Sequence, residues 1–126
     1  VKKIYYAHPL SIYDSPQEER DVAMIKYLWP DAEVYNPNSK IDNEKYKEYG
    51  FDWFLDRVAD CDLVVFRSFP DGRIDRGVWK EIEFAHSKCV IPVMEIPMLM
   101  ESRSLSVDDT RKYLKQYVAG FDNYIY

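Results

Sequence analysis

Residues 63–66 (LVVF) form an unbroken apolar run between Asp62 and Arg67. Side chains of an extended chain alternate between two faces, so an unbroken run of this kind is expected where both faces of a strand are covered. A parallel sheet with helices on either side provides that cover. The neighbouring segments fit the same scheme. Val1 to Ala7 is β-rich and stops at His8-Pro9, and Ala32 to Tyr35 is a short strand closed by Asn36-Pro37. Cys89 to Met94 is a further strand, in which Pro92 points toward a sheet edge.

Helical signals fall between these strands. Ser15-Pro16 with Glu18 has the form of a capping box with proline at the first helical position, opening a helix that runs to about Trp29 before Pro30. Residues 43–60 predict one helix, with Phe51, Phe54, Leu55, Val58 and Ala59 on its buried face. Gly77 to Ser87 predicts another, and Val107 to Ala119 a last one, released by Gly120 into the tail FDNYIY. The alternation predicts a single-domain α/β fold over residues 1–126, a doubly wound, Rossmann-like or flavodoxin-like parallel sheet flanked by helices. Ligands of such sheets bind beyond the carboxyl ends of the strands. Here those ends are His8 to Ser11, Asn36 to Asn38 and Arg67 to Arg76.

Composition narrows the partners. A net charge of −5 disfavours a nucleic-acid polymer or an anionic membrane surface. No run approaches membrane-spanning length and the opening residues read as a strand, so the expectation is a soluble, cytoplasmic protein. Cys61 and Cys89 lack metal-ligand spacing, which suits reduced thiols. His8 and His86 have no ligand partner at metal spacing, and 4 glycines in all supply neither a Rossmann fingerprint nor a P-loop; neither metal nor cofactor is expected. Ser11 and Ser68 are available as hydrogen-bond donors to a ligand, with no Ser–His–Asp arrangement to be inferred.

Three carboxylates fall near the expected rim: Asp52, Asp75 and Glu81. Val78, Ile82 and Ala85 mark the apolar stripe of their helix, with Glu81 beside it and Glu83 turned away. Periodicity alone is served better by a surface carboxylate at Glu81 that complements the helix dipole. Asp52 equally flanks a helix edge, and Asp75 sits in a charged loop where an exposed turn aspartate is the ordinary explanation. Yet two or three carboxyl groups around one glycosidic bond are what its cleavage needs, one to attack the anomeric carbon and another to move protons.

The pattern of the whole resembles the nucleoside 2-deoxyribosyltransferase superfamily. The opening KIYYAHPLS resembles that family's first strand and loop. Residues 62–93 resemble its central block, with the run Asp75-Arg76-Gly77-Val78-Trp79-Lys80-Glu81 followed by Ala85 and Lys88. The tail ending in Tyr126 resembles a segment that reaches a sugar-binding site. The resemblance implies that Glu81 is the nucleophile of a covalent deoxyribosyl-enzyme and that Asp75 binds a sugar hydroxyl and orients Glu81. It further implies that Asp52 protonates the departing base and that Tyr6 or His8 lines the pocket beside Gly77. His8 stands where the family has Gly, Glu83 where it has a small residue, and the Glu81-to-Lys88 stretch is about two residues short.

The implied activity is cleavage or transfer of the N-glycosidic bond of a nucleoside or nucleotide. A homo-oligomer is expected, the tail from Gly120 to Tyr126 reaching a neighbour's site and aromatic walls excluding water. A deoxynucleoside 5′-monophosphate N-hydrolase is the nearer alternative, since Arg73 and Arg76 suit a phosphate whereas a carboxylate at 75 repels one. A non-catalytic nucleotide-binding module is the alternative from another class.

Overall fold

The computed structural model describes residues 1–96 and, as backbone, 103–105. Strands β1 (Lys3–Ala7), β2 (Glu33–Tyr35), β3 (Leu63–Arg67) and β4 (Val93–Ile96) are mutually parallel, and β5 (Arg103–Leu105) adds antiparallel to β4. The order is β2-β1-β3-β4-β5, so the chain reverses its direction of travel across the sheet between β1 and β3. This is the doubly wound α/β architecture that the sequence predicts, with a crevice at the reversal. The antiparallel fifth strand is an addition to that prediction. Among the described residues no helix is long and apolar enough to cross a membrane. The expected helix over Val107 to Ala119 and the tail with Tyr126 lie outside the described residues.

Two apolar clusters show why the central strands are apolar throughout. On one face Tyr5, Ala7, Val64 and Phe66 pack with Val58, Val78 and Ile82 of helices α3 (Asp52–Ala59) and α4 (Arg76–Phe84). On the other, Ile4, Tyr6, Leu63 and Val65 pack with Ile25 of α1 (Pro16–Leu28). Successive residues of β1 and β3 thus serve opposite cores. α1 buries Asp21 and Ile25 fully, one turn apart, with Val22 and Met24 packed partly buried beside them, so a polar contact is part of its anchoring. The Arg67 guanidinium meets Asp21 through two hydrogen bonds, its Nε 2.9 Å from Oδ2, and the Tyr6 hydroxyl donates to the same oxygen at 2.6 Å.

Three boundaries differ from the sequence reading. The single helix over 43–60 is two, α2 (Lys40–Tyr49) and α3, because Gly50 takes φ 74° and breaks the ladder. The break turns the expected stripe: Val58 is buried, Phe51, Phe54 and Leu55 are partly exposed, and Ala59 is exposed. The strand over Cys89 to Met94 starts later, at Val93, because Ala85–Cys89 continues α4 as a π-helical turn. Pro92 therefore precedes the strand, where its carbonyl accepts from the Val64 amide and its missing N–H is not needed. The capping box of α1 is half formed. Ser15 accepts from the Glu18 amide, but the Glu18 carboxylate accepts from Asp14 N rather than from Ser15.

The π turn ends on Val90 at φ 54°, with the Ile91 amide reaching back to the Ala85 carbonyl. A left-handed residue at this point of a helix end is usually glycine, since a β-branched side chain crowds its own carbonyl there. Val90 is 83% exposed, so it gives up little packing when removed. Val90→Gly is expected to raise stability by about 1 kcal/mol, read as a higher urea midpoint at unchanged slope.

Candidate functional site

A cavity of about 350 Å³ opens over the carboxyl ends of β1 and β2 and the first turns of α4. It is built outward from β1. Tyr5 is fully buried, faces the α3/α4 side, and its ring stacks on Tyr35 of β2 at 5.7 Å between centroids. Its hydroxyl donates to Oε2 of Glu81, which projects from α4 toward the sheet. Glu81 is buried at 6% exposure and lies in the second turn of α4 rather than the first, so the helix N-terminus is not what holds it. Burial raises its pKa to about 8, opposed by the Tyr5 hydrogen bond and helped by the nearby charge of Asp75.

Asp75 is the N-cap of α4. Its Oδ1 accepts from the Gly77 amide at 2.8 Å and the Val78 amide at 3.3 Å, which offsets part of the upward push that burial gives its carboxyl. Gly77 allows this tight start. A Cβ there would stand 3.1 Å from Asp75 Oδ1 and 3.3 Å from the Phe51 ring, so a side chain would press on the cap and on the cavity wall together.

The wall opposite these acids is aromatic and apolar: Leu10 and Tyr13 from the β1–α1 connection, Pro37 and Tyr46 from the β2–α2 side, and Phe51 and Phe54 around the α2–α3 break. Flat rings of this kind suit a flat ligand. Arg76 and Lys80, one turn apart on α4, supply cations at the rim, and Asn43 adds a carboxamide. His8 stands at the cavity with its side chain wholly buried. Nδ1 lies 3.1 Å from the Tyr6 carbonyl and Nε2 2.7 Å from Glu18, so both are engaged within the protein. Burial holds the His8 pKa below its ordinary value against the upward pull of Glu18.

Five sequence-predicted residues therefore meet at one cavity: Glu81, Asp75, His8, Arg76 and Gly77. Others do not. Tyr6 points to the opposite face, where it bonds Asp21 beneath α1, because side chains alternate along β1 and its neighbour Tyr5 takes the cavity face. Asp52 is exposed on the first turn of α3 and is not part of the lining, the break at Gly50 having rotated that turn outward. Ser11 is exposed in a short 3-10 turn (Leu10–Ile12), and Arg73 binds Asp71 at 2.9 Å away from the cavity. Tyr126 lies outside the described residues. Among the described residues no group of three or more His, Cys, Asp or Glu is placed to hold a metal, and Cys61 and Cys89 are free thiols.

The lining residues that sequence reasoning passed over are Tyr5, Tyr13, Asn43, Tyr46 and Lys80. Tyr5 shares its strand face with Ala7, but the sequence does not say which face of β1 meets the helix that carries Glu81. Its role is open to a direct check. Tyr5→Phe removes the bond that favours the Glu81 carboxylate, so the Glu81 titration is expected to move upward by roughly one unit. Carboxyl-carbon NMR of Glu-labelled protein reads that shift.

Compared with protein-family models, with curated proteins and with solved structures, the chain matches none of them.

Proposed function

We propose that the chain cleaves or transfers the N-glycosidic bond of a nucleoside or nucleotide through a covalent glycosyl–Glu81 intermediate. One observation carries the reading: a buried carboxyl held by a tyrosine hydroxyl, next to a second carboxyl, at the floor of a cavity with aromatic walls. In the first step a Glu81 carboxylate oxygen bonds to the anomeric carbon while that carbon's bond to the base nitrogen breaks, the electron pair leaving with the base. The base takes up a proton as it departs. With Asp52 outside the lining, Asp75 is the remaining carboxyl among the lining residues able to carry it. In the second step water, or the nitrogen of another base, attacks the same carbon, passes its proton to the Asp75 carboxylate and releases Glu81 as carboxylate.

The raised Glu81 pKa has a consequence of definite sign. The nucleophile is the ionised form, whose fraction grows as pH rises toward and past about 8. Trapping of the sugar on the enzyme is accordingly favoured by mildly alkaline conditions, while protonation of the leaving base pulls the other way. A 5′-monophosphate substrate is the second reading, favoured by Arg76 and Lys80 at the rim. The test is to incubate the protein with a panel of deoxynucleosides and their 5′-monophosphates, following base release and weighing the intact protein for a deoxyribosyl adduct. Absence of both release and adduct across the panel sinks the enzyme reading.

A further inference from the structure

Glu18 has more partners than a first-turn helix carboxylate requires. Its Oε1 accepts from the Asp14 amide at 3.2 Å, and both its oxygens accept from the Asn38 side-chain amide at 3.0 Å. Its Oε2 meets His8 Nε2 at 2.7 Å. Asn38 also donates to Asp14 Oδ1 at 3.0 Å, and Asp14 is itself held at φ 60°. Asp14 belongs to the β1–α1 connection and Asn38 to the β2–α2 connection. These two connections carry Leu10, Tyr13 and Pro37 of the cavity wall. One carboxylate thus ties together two chain segments whose side chains face the same space.

The His8 contacts define where hydrogen must be. A carbonyl has none to give, so Nδ1 carries the hydrogen that it shares with Tyr6 O. A nitrogen and a carboxylate oxygen 2.7 Å apart are bonded only if a second hydrogen lies between them. The ring is stacked on Tyr6 at 3.8 Å and tilted against Tyr13 at 4.6 Å, which fixes its plane. The charged groups facing it are Glu18 and Asp21 of α1, with Arg67 of β3 on the far side of Asp21. Among the described residues nothing cationic touches His8 to replace that proton.

We propose that Glu18 is a positioning residue, joined to His8 by a shared proton in a clasp that fastens the two connections and sets the width of the slot between them. That a base occupies the slot rests on the nucleoside reading above; the clasp itself does not. Loss of the shared proton as pH rises toward neutrality leaves a lone pair facing a carboxylate and loosens the clasp. Glu18→Gln brings an amide hydrogen to neutral Nε2 and an oxygen to Asp14 N and Asn38, so it keeps the bonds without the proton. Glu18→Ala keeps none.

The experiment is amide hydrogen exchange by mass spectrometry on the free full chain, comparing peptides over 8–15 and 36–39 with the β3 region as reference. At pH of about 5, Glu18→Ala is expected to exchange roughly tenfold faster or more in both connections, with β3 unchanged, and Glu18→Gln to match wild type. Because the His8 pKa lies below its ordinary value, the ratio of wild-type to Glu18→Gln exchange is expected to climb between pH of about 5 and about 7, since wild type alone loses a proton there. Unchanged protection in Glu18→Ala, equal loosening in both variants, or a ratio flat with pH overturns the proposal. If Glu18→Ala fails to fold, which lost β3 protection would reveal, the Glu18→Gln comparison across pH decides alone. Base release by the same proteins is scored separately. A higher KM at near-constant kcat in Glu18→Ala supports the clasp's effect on the slot, whereas no turnover by wild type removes the glycosidic reading and leaves the exchange result standing.

Discussion

Glu81→Gln is expected to abolish both the deoxyribosyl adduct and base release, by at least about a thousandfold, while Glu83→Ala stays within about twofold of wild type. The contrast rests on placement. Two residues apart on one helix, Glu81 is buried against Tyr5 and Glu83 is exposed. Glutamine matches glutamate in volume and can still accept from the Tyr5 hydroxyl, so the loss reports the nucleophilic oxygen and not a collapsed site. The same variant carries a stability signature independent of any substrate. Glu81 has its folded pKa raised to about 8 from an ordinary value of 4.5, so the folded state holds a proton that the unfolded chain has shed over that window. Wild type therefore loses stability progressively from pH about 4.5 to about 8, in total on the order of a few kcal/mol. Glu81→Gln escapes this term and is expected to gain on wild type as pH rises, reaching a plateau above about 8. Urea midpoints across pH measure the difference, and identical pH profiles for the two proteins would show that Glu81 is not buried as described.

The second large effect is on the opposite face. Asp21→Ala leaves the Arg67 guanidinium, 4% exposed, without its carboxylate, and strips the Tyr6 hydroxyl of its acceptor. Removing one partner of a buried pair costs about 3–5 kcal/mol, much of it the burden of the charge left behind. Removing both behaves differently. Asp21→Leu with Arg67→Met converts the contact to an apolar one between α1 and β3, and the double variant is expected to recover most of the loss. Chemical denaturation of the single and double variants gives the coupling directly. A single Asp21→Ala loss below about 1 kcal/mol would mean that the pair is solvated in solution.

How much of this the sequence carried depends on how local the deciding physics is. The apolar run at 63–66 predicts a strand covered on both faces, and the two clusters are that cover. Proline and serine mark the start of α1 because a cap is settled within four residues. Gly50 decides the α2–α3 break equally locally, and was passed over because the aromatic periodicity ran across it. What the sequence could not rank was the choice between Tyr5 and Tyr6. When both faces of a strand are buried, hydrophobicity does not tell them apart, and only the placement of α1 and α4 decides which tyrosine meets Glu81 and which meets Asp21. The Glu18 contacts are equally non-local, reaching back to His8 and forward to Asn38.

The double duty of Asp75 ties reactivity to architecture. One of its oxygens stops the first turn of α4 from fraying, and its charge acts on the carboxyl that the same helix carries inward. Any lineage that changed this position would be confined to side chains able to accept those amides, chiefly asparagine, serine or threonine, or else would give up the aim of residue 81 along with the charge. Chemistry at this cavity can therefore drift only along substitutions that leave the helix start intact.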